Sequence, residues 1–216
     1  ASKGMQQSLR DVNASNIEDL IAVAALYRPG PMDYIPQYAE GKRNPHSVKY
    51  SHPIIQKNMA VTYGIMVYQE QAMQIAVVAA GFAPEEADHL RRSLATFRKM
   101  GTIGTFRDRF IRGMLQRGYD PDFADCCFSQ IEGFGEYGFP ESHAAAFAML
   151  AYASAWIKRH HPDVFACALL NSQPMGFYAP AQIVRDAQDH GVVVLPADVN
   201  HSHWDCTLEP LPESRW

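Results

Sequence analysis

Apolar residues in this chain return every three or four positions, and where that rhythm lapses a proline or glycine stands at the break. A chain patterned this way can pack helices but has little with which to build a sheet. Ser15-Asn16-Ile17-Glu18 reads as a capping box, Ser15 as N-cap and Glu18 reaching back, opening a helix to about Tyr27. Arg28-Pro29-Gly30-Pro31 stops it with a rigid turn. Positions 32–60, punctuated by Pro36, Pro45 and Pro53, read as a long connection with short helical turns. Positions 67–80 are apolar at helical spacing and end at Gly81. Pro84-Glu85-Glu86 opens the next helix, with proline at its first position and acids where the dipole favours them. After Gly101 and Gly104 a basic amphipathic helix spans 105–117 and closes at Gly118, and Pro121 opens another.

Gly133-Phe134-Gly135-Glu136-Tyr137-Gly138-Phe139-Pro140 reads as a tight loop with close backbone approach. Ser142 then caps a long helix over 143–159, Pro162 starts a short one, and 181–190 forms a last helix closed by Gly191. Positions 192–195 predict a short strand, followed by a polar, aromatic tail. The expected fold is mostly α, with seven or eight helices. A composition change near Asn171 divides it into a multi-helix body over 1–170 and a small α/β module over 171–216.

Of 216 residues, 47% are hydrophobic, enough for one substantial core or two smaller ones. No stretch approaches the roughly 20 apolar residues that cross a bilayer, and the first residues carry no signal-peptide core, so a cytoplasmic protein without membrane contact is expected. Cys126, Cys127, Cys167 and Cys206 have no CxxC spacing and read as buried free thiols. His201, His203 and Cys206, with Asp205, fit no standard zinc spacing.

The net charge of −4 argues against a nucleic-acid binder, but its distribution does not. Arg91, Arg92, Arg98, Lys99, Arg107, Arg109, Arg112 and Arg117 fall within 27 positions that hold one acid, Asp108. Such a segment suits a polyanion, or equally a solvated helix face. Arg91 and Arg92 are candidate phosphate forks, though neighbours on a helix point about 100° apart. Ser142 and His143, at a helix start fed by the glycine-rich loop, could hold phosphate oxygens, or simply cap and pack. The loop is neither a Walker A motif nor a dinucleotide fingerprint, since it lacks GxxxxGK[ST] and no strand-forming run precedes it. Glu70 has no carboxylate partner and reads as a capping or ion-paired residue. Neither a catalytic triad nor a paired-aspartate metal site is legible.

Taken together, Leu26-Tyr27-Arg28-Pro29-Gly30-Pro31, Tyr63-Gly64-Ile65-Met66-Val67-Tyr68-Gln69-Glu70-Gln71, the stretch 87–92, Gly135-Glu136-Tyr137-Gly138-Phe139 and Ser142-His143-Ala144-Ala145 resemble the alpha subunit of bacterial DNA polymerase III, in that family's order. The resemblance runs from about 2 to 210. The segments 95–104, 138–143 and 170–178 look like the error-prone, damage-tolerant branch, whereas the first third looks more like the replicative branch.

The resemblance implies a fingers region over 1–170, followed by the start of the module that precedes a helix-hairpin-helix DNA-binding region. The parent would join dNTPs to a primer 3′-OH, using two Mg²⁺ ions on palm aspartates expected upstream of this chain. Arg91, Arg92, Ser142 and His143 would then contact the incoming nucleotide. Arg98 and Lys99 would stand in for the family's lysine cluster, joined by Arg107 and Arg109 as DNA or phosphate contacts. The implied partners are primer-template DNA, dNTP, the remainder of the polymerase chain, and a sliding clamp or other replication and repair proteins. The chain alone would be inactive. The competing expectation is a non-catalytic helical interaction module whose basic helix meets an acidic protein.

Overall fold

The computed structural model describes residues 2–94, 103–134, 138–176 and 178–210. Among them are eleven α-helices joined by short 3₁₀ turns, and no strand longer than a single bridge. Two compact units divide the chain, Ala1–Ala148 and Met149–Trp216, and the boundary between them falls inside a helix.

In the first unit α1 spans Lys3–Asp11, with the Ser2 hydroxyl accepting from the Met5 N–H at 3.2 Å. The next helix, α2 (Ile17–Leu26), carries a capping box one residue later than the sequence suggests. Asn16 is the N-cap, and Asp19 takes the place expected for Glu18. The reason is tertiary. The Asp19 carboxylate is buried against Lys42 Nζ at 2.5 Å and also accepts from the Ser15 and Asn16 N–H groups, so the acid that can be paired from outside the helix becomes the capping one.

The stretch 32–60 is far more regular than a proline-punctuated connection suggests. Gly30, at φ 101°, turns the chain into a 3₁₀ turn (Pro31–Tyr34), then α3 (Ile35–Arg43), a second 3₁₀ turn (Pro45–Ser47) and α4 (Pro53–Met59). Each proline lies in a first turn, where its missing N–H leaves no bond unmade; prolines here start helices and do not interrupt them. Helices α5 (Gln69–Val78) and α6 (Pro84–Leu94) follow, then α7 (Ile103–Gln116) and α8 (Pro121–Phe134). Gly133 and Phe134, expected in a loop, form the last turn of α8. Glycine permits a turn without requiring one, and the Phe134 ring is drawn into the core.

Two apolar clusters hold this unit. One gathers Ile75, Leu90, Met114, Ile131 and Phe134 around Phe110, whose ring lies 6.1 Å from Phe82 and 5.4 Å from Phe128. The other joins Val12, Val23, Leu26, Tyr38, Val67 and Tyr68 to Ala144. Beside Val67 and Tyr68, the buried Gln71 amide satisfies a chain that is not helical. Its oxygen accepts from the Val67 and Tyr68 N–H groups, and its nitrogen donates to Asn58 O and Thr62 Oγ1.

Arg109 fastens α7 to the end of α5. Its guanidinium donates to the carbonyls of Ala80 (3.3 Å) and Gly81 (3.1 Å) and to Glu86 (3.2 Å), and lies over the Phe82 ring at 4.9 Å. These carbonyls lie just beyond the C-cap of α5, Ala79.

The long α9 (Glu141–His160) ends in the second unit, which also holds α10 (Pro162–Asn171) and α11 (Pro180–Asp189). The strand expected over 192–195 does not form. Gly191, at φ 84°, turns the chain, Val192 and Val194 pack on the small cluster of Ala166, Ile183 and Ala187, and no neighbouring strand is present among the described residues. The described part of this unit is therefore helical with an extended tail, not α/β.

A methyl group at Gly113 would stand 1.9 Å from the Ala80 carbonyl oxygen, whereas one at Gly133 would meet nothing within 4 Å. Gly113→Ala should lower stability by about 1–3 kcal/mol, while Gly133→Ala, in open space in the last turn of α8, should raise it by at most about 0.5 kcal/mol. Chemical denaturation of the two variants checks both signs.

Burial pushes the Asp19 carboxyl up, but the Lys42 hydrogen bond, the Ser15 N–H and the Lys42 charge outweigh it, and the net direction is below the ordinary 3.8. The stabilisation is therefore complete above 3.8 and lost as pH falls through the lower folded value. Asp19→Asn should cost about 2 kcal/mol at neutral pH, and its deficit relative to wild type should shrink as the pH drops below 3.8. Urea titrations at pH 7 and pH 3 measure the two deficits.

Candidate functional site

The candidate residues stand on three elements. Arg91 and Arg92 lie in the last turn of α6, whose opposite face is anchored by buried Ala87 and Leu90. Although side chains at adjacent helical positions diverge, these two converge on Asp88, three and four residues back. Arg91 donates through Nε (3.0 Å) and Nη2 (2.8 Å) to Asp88 Oδ1. Arg92 donates through Nε (2.9 Å) and Nη2 to Oδ2. Hydrogen bonds from Arg91, and then from Arg92, hold the Asp88 carboxyl below its ordinary range. Two planar forks closing on one carboxylate are also an arrangement that fits the oxygens of a phosphate.

On α7 the charge is more committed than a count along the sequence suggests. Arg107 pairs bidentately with Asp125 of α8, at 2.7 and 2.9 Å, and the pairing raises its already high pKa. Arg109 is taken up by the Ala80 and Gly81 carbonyls and by Glu86. The acids that offset this helix, Glu86 and Asp125, and the Asp88 that offsets α6, all lie outside the 91–117 window. Arg112 is exposed and has no ion pair among the described residues. Arg98 and Lys99 lie outside the described residues, as do Gly135, Glu136 and Tyr137.

Ser142 is not the N-cap of α9: the helix begins at Glu141 and takes Ser142 and His143 into its first turn, both exposed. The cap comes instead from another helix. Glu70, near the start of α5, accepts from the Glu141 N–H at 3.0 Å, which gives it the capping role expected of it. Gln69 donates its backbone N–H to Phe139 O (3.0 Å) and its side-chain amide to Gly138 O (3.1 Å), and Tyr68 and Phe139 form a parallel bridge. A side chain at Gly138 would come within 2.6 Å of the Phe134 ring, so the close approach anticipated for the glycine-rich segment is real at this position. Burial, followed by the charges of Glu141 and Glu70, pushes the Tyr68 phenol far above its ordinary value, so it stays protonated.

From this anchor runs a ladder of rings. Phe139 lies 5.2 Å from His143, which lies 4.7 Å from Phe147. Arg28 sits over the outer face of the ladder, 5.0 Å from the Phe139 centroid. The motifs Arg28-Pro29-Gly30-Pro31, Tyr68-Gln69-Glu70-Gln71 and Gly138-Phe139 thus meet at one place. Reading Arg28 only as part of a turn did not foresee its stack on Phe139; the signal available was that a cation stood directly before a rigid proline turn.

Among the described residues no group of three or more His, Cys, Asp or Glu is placed to hold a metal ion. His201 instead meets Asp198 at 3.2 Å. Of the four cysteines only Cys127 is buried, its thiol pushed up to about 12 by burial and then by Cys126; Cys167 is half-buried, and Cys126 and Cys206 are exposed. No helix among the described residues is long and apolar enough to cross a membrane.

Comparisons with known proteins place this chain in a family. The model of the bacterial DNA polymerase III alpha subunit finger domain matches residues 1–118, and the chain belongs to that family. Curated relatives extend the likeness over nearly the whole chain, and each of these three is named an error-prone DNA polymerase. The protein of Sinorhizobium medicae is 53% identical over 213 residues, which cover 96% of this chain and 19% of the relative. That of Ruegeria pomeroyi is 55% identical over 210 residues, 96% and 19%. That of Brucella abortus is 53% identical over 222 residues, 98% and 21%. The chain therefore spans about a fifth of the length of the relatives it matches.

If Glu70 caps α9 from outside, Glu70→Ala should leave the Glu141 N–H without its partner and cost about 1 kcal/mol. Amide exchange at 141–144 should quicken while α2 exchanges as before. Unchanged exchange at the α9 start would rule the cap out.

Proposed function

We propose that this chain is the fingers part of an error-prone, DNA-directed DNA polymerase, and that it grips the incoming dNTP and the DNA backbone while other parts of the parent perform the chemistry. In the parent, the primer 3′-OH attacks the α-phosphate of a dNTP and pyrophosphate leaves. Any Mg²⁺ in that step would be held elsewhere, since the described residues offer no ligand cluster. The error-prone names of the relatives support a role in damage-tolerant synthesis and repair. The division into fingers over 1–170 and the start of a following module over 171–216 belongs to the same reading, as does contact with a sliding clamp in the parent.

The observation that carries the reading is the pair of forks on Asp88. Arg91 and Arg92 contact the triphosphate by exchanging a carboxylate for phosphate oxygens. Asp88 holds them ready and keeps them from diverging when no nucleotide is bound. Ser142 and His143, exposed at the start of α9, approach the same nucleotide, and Arg28 joins them. Arg98 and Lys99 remain the proposed backbone contacts. Arg107 and Arg109 serve the DNA only with what their ion pairs leave free. That commitment also weakens the reading of α7 as a docking helix for an acidic protein.

The remainder of the polymerase is the partner for α9. This helix buries only Ala144 and Ala148 and exposes Phe147, Met149, Leu150, Tyr152 and Trp156.

Primer-template DNA titrated with and without dNTP tests the reading. Arg91→Ala/Arg92→Ala should bind several-fold worse and lower the slope of log affinity against log salt by roughly one per lost phosphate contact. The dNTP-dependent gain should disappear with it. Equal binding by wild type and double variant would show the arginines to be surface ion pairs and overturn the assignment.

A further inference from the structure

We propose that Cys167 and Cys206 form an oxidant-driven disulfide that fastens the C-terminal tail to α10. The inference rests on the second unit alone and not on the polymerase reading. Cys167 and Asn171 stand one turn apart on α10, and both face the main chain of Cys206, 39 residues from Cys167 in sequence. Asn171 holds that main chain from both sides: its Nδ2 donates to Cys206 O at 2.9 Å and its Oδ1 accepts from the Cys206 N–H at 2.7 Å. The Cys167 thiol donates to the same carbonyl at 3.1 Å. The Asn171 amide also lies 3.8 Å from the Cys167 sulfur. One asparagine thus registers two thiol-bearing residues against each other. A disulfide needs its two Cα atoms about 4.4–6.8 Å apart, and a sulfur already touching the partner's backbone is compatible with that span. Rotation of the Cys206 side chain, which is exposed, supplies the rest.

The tail gives the link a purpose. Around it the hydrogen bonds are local, Asp198 with Asn200, His201 and Ser202. Val199 and Trp204 are fully exposed. The contacts to Cys206 are those that tie residues beyond 200 to a helix.

The two thiols divide the chemistry. Burial, then Cys206, Asp163 and Asp205, push the Cys167 thiol up, and Cys167 is half-buried where Cys206 is exposed to an oxidant. The exposed Cys206 thiolate attacks hydrogen peroxide; the O–O bond breaks, the sulfur takes one oxygen as a sulfenic acid, and hydroxide leaves and is protonated to water. Cys167, as thiolate, then attacks that sulfur; the S–S bond forms, the S–O bond breaks, and a second water leaves. Two thiols give two electrons to one peroxide. The remaining thiols are poorer candidates, since Cys127 is buried and Cys126 is its immediate neighbour. In a reducing compartment the link lasts only while oxidant is present.

Trypsin separates the two cysteines, because Arg159, Arg185 and Arg215 place them in peptides 160–185 and 186–215. The folded chain, freed of reductant, treated with hydrogen peroxide and blocked with N-ethylmaleimide, should yield these peptides joined and lighter by two hydrogens. The joined species should vanish with dithiothreitol and be absent from Cys167→Ser and Cys206→Ser. In Cys167→Ser, Cys206 should accumulate as a sulfenic acid that dimedone labels. A urea-unfolded sample should instead give mixed links that include Cys126 and Cys127. Equal yields from folded and unfolded protein, predominant linkage to Cys126, or direct passage of Cys206 to sulfinic acid in the folded wild type would each overturn the proposal.

Discussion

The candidate site depends on the pairing of 138–141 with the first turn of α5. Two backbone elements about 70 residues apart are held there by a bridge, a side-chain amide bond and a carboxylate cap. Closing so long a loop is costly in chain entropy, and one or two exposed hydrogen bonds would not offset it. The offset comes from burial: Tyr68 and Val67 lie in a core with Ala144, and Gly138 fits against the Phe134 ring because it has no side chain. From the other side, Gln71 satisfies the N–H groups of Val67 and Tyr68, which would otherwise be unpaired in that core. Both sides are needed. Without Gln71 the extended entry to α5 would leave buried donors orphaned, and without the 138–141 segment Glu70 would have no helix to cap.

The arginines separate into two groups by what they would lose on leaving their present partners. Arg91 and Arg92 share a carboxylate on an accessible helix end. Such pairs are worth at most about 1 kcal/mol, so a polyanion can displace the acid at little cost. Arg109 is different in kind. It donates to two carbonyls just beyond α5 and stacks over Phe82, contacts that withdrawal would break. Basic residues close in sequence therefore divide into those held by exposed ion pairs and those that also build the fold, and the division follows carbonyl and ring contacts, not charge.

Helix positions beyond 60 were legible where glycines mark ends and Pro84, Pro121 and Pro162 mark first turns, whereas α1, α3 and α4 were not. Gly81, Gly118 and Gly191 all adopt positive φ, where other residues strain, and each closes the helix the sequence assigned to it. What was not legible depended on partners far along the chain. Ser15 and Asn16 are equally good caps by chemistry, and only Lys42, 23 residues beyond Asp19, decides between the two boxes. Positions 192–195 have the composition of a strand, but a strand requires a second one, and Val192 and Val194 found helices instead. The positive window over 91–117 was read without Asp88, Glu86 and Asp125, each of which arrives from an adjoining turn or helix. Segments that resembled a known family were read correctly as a set, but their meeting at Arg28, Gln69, Glu70 and Phe139 could not be seen from spacing.

The exposed surface of α9 follows from the same physics on a larger scale. A helix rich in alanine, with Phe147, Leu150, Tyr152 and Trp156 distributed around it, has no polar face to give to water. Helices of that kind are stable when surrounded, and alanine lets neighbouring backbones approach closely. Lys158, Arg159 and His160 in the last turn are the exception, placed where the dipole favours cations. The helix thus changes character along its length: an anchored start that presents His143, an apolar middle that requires covering, and a charged end pinned by Lys158 to Asp186 of α11.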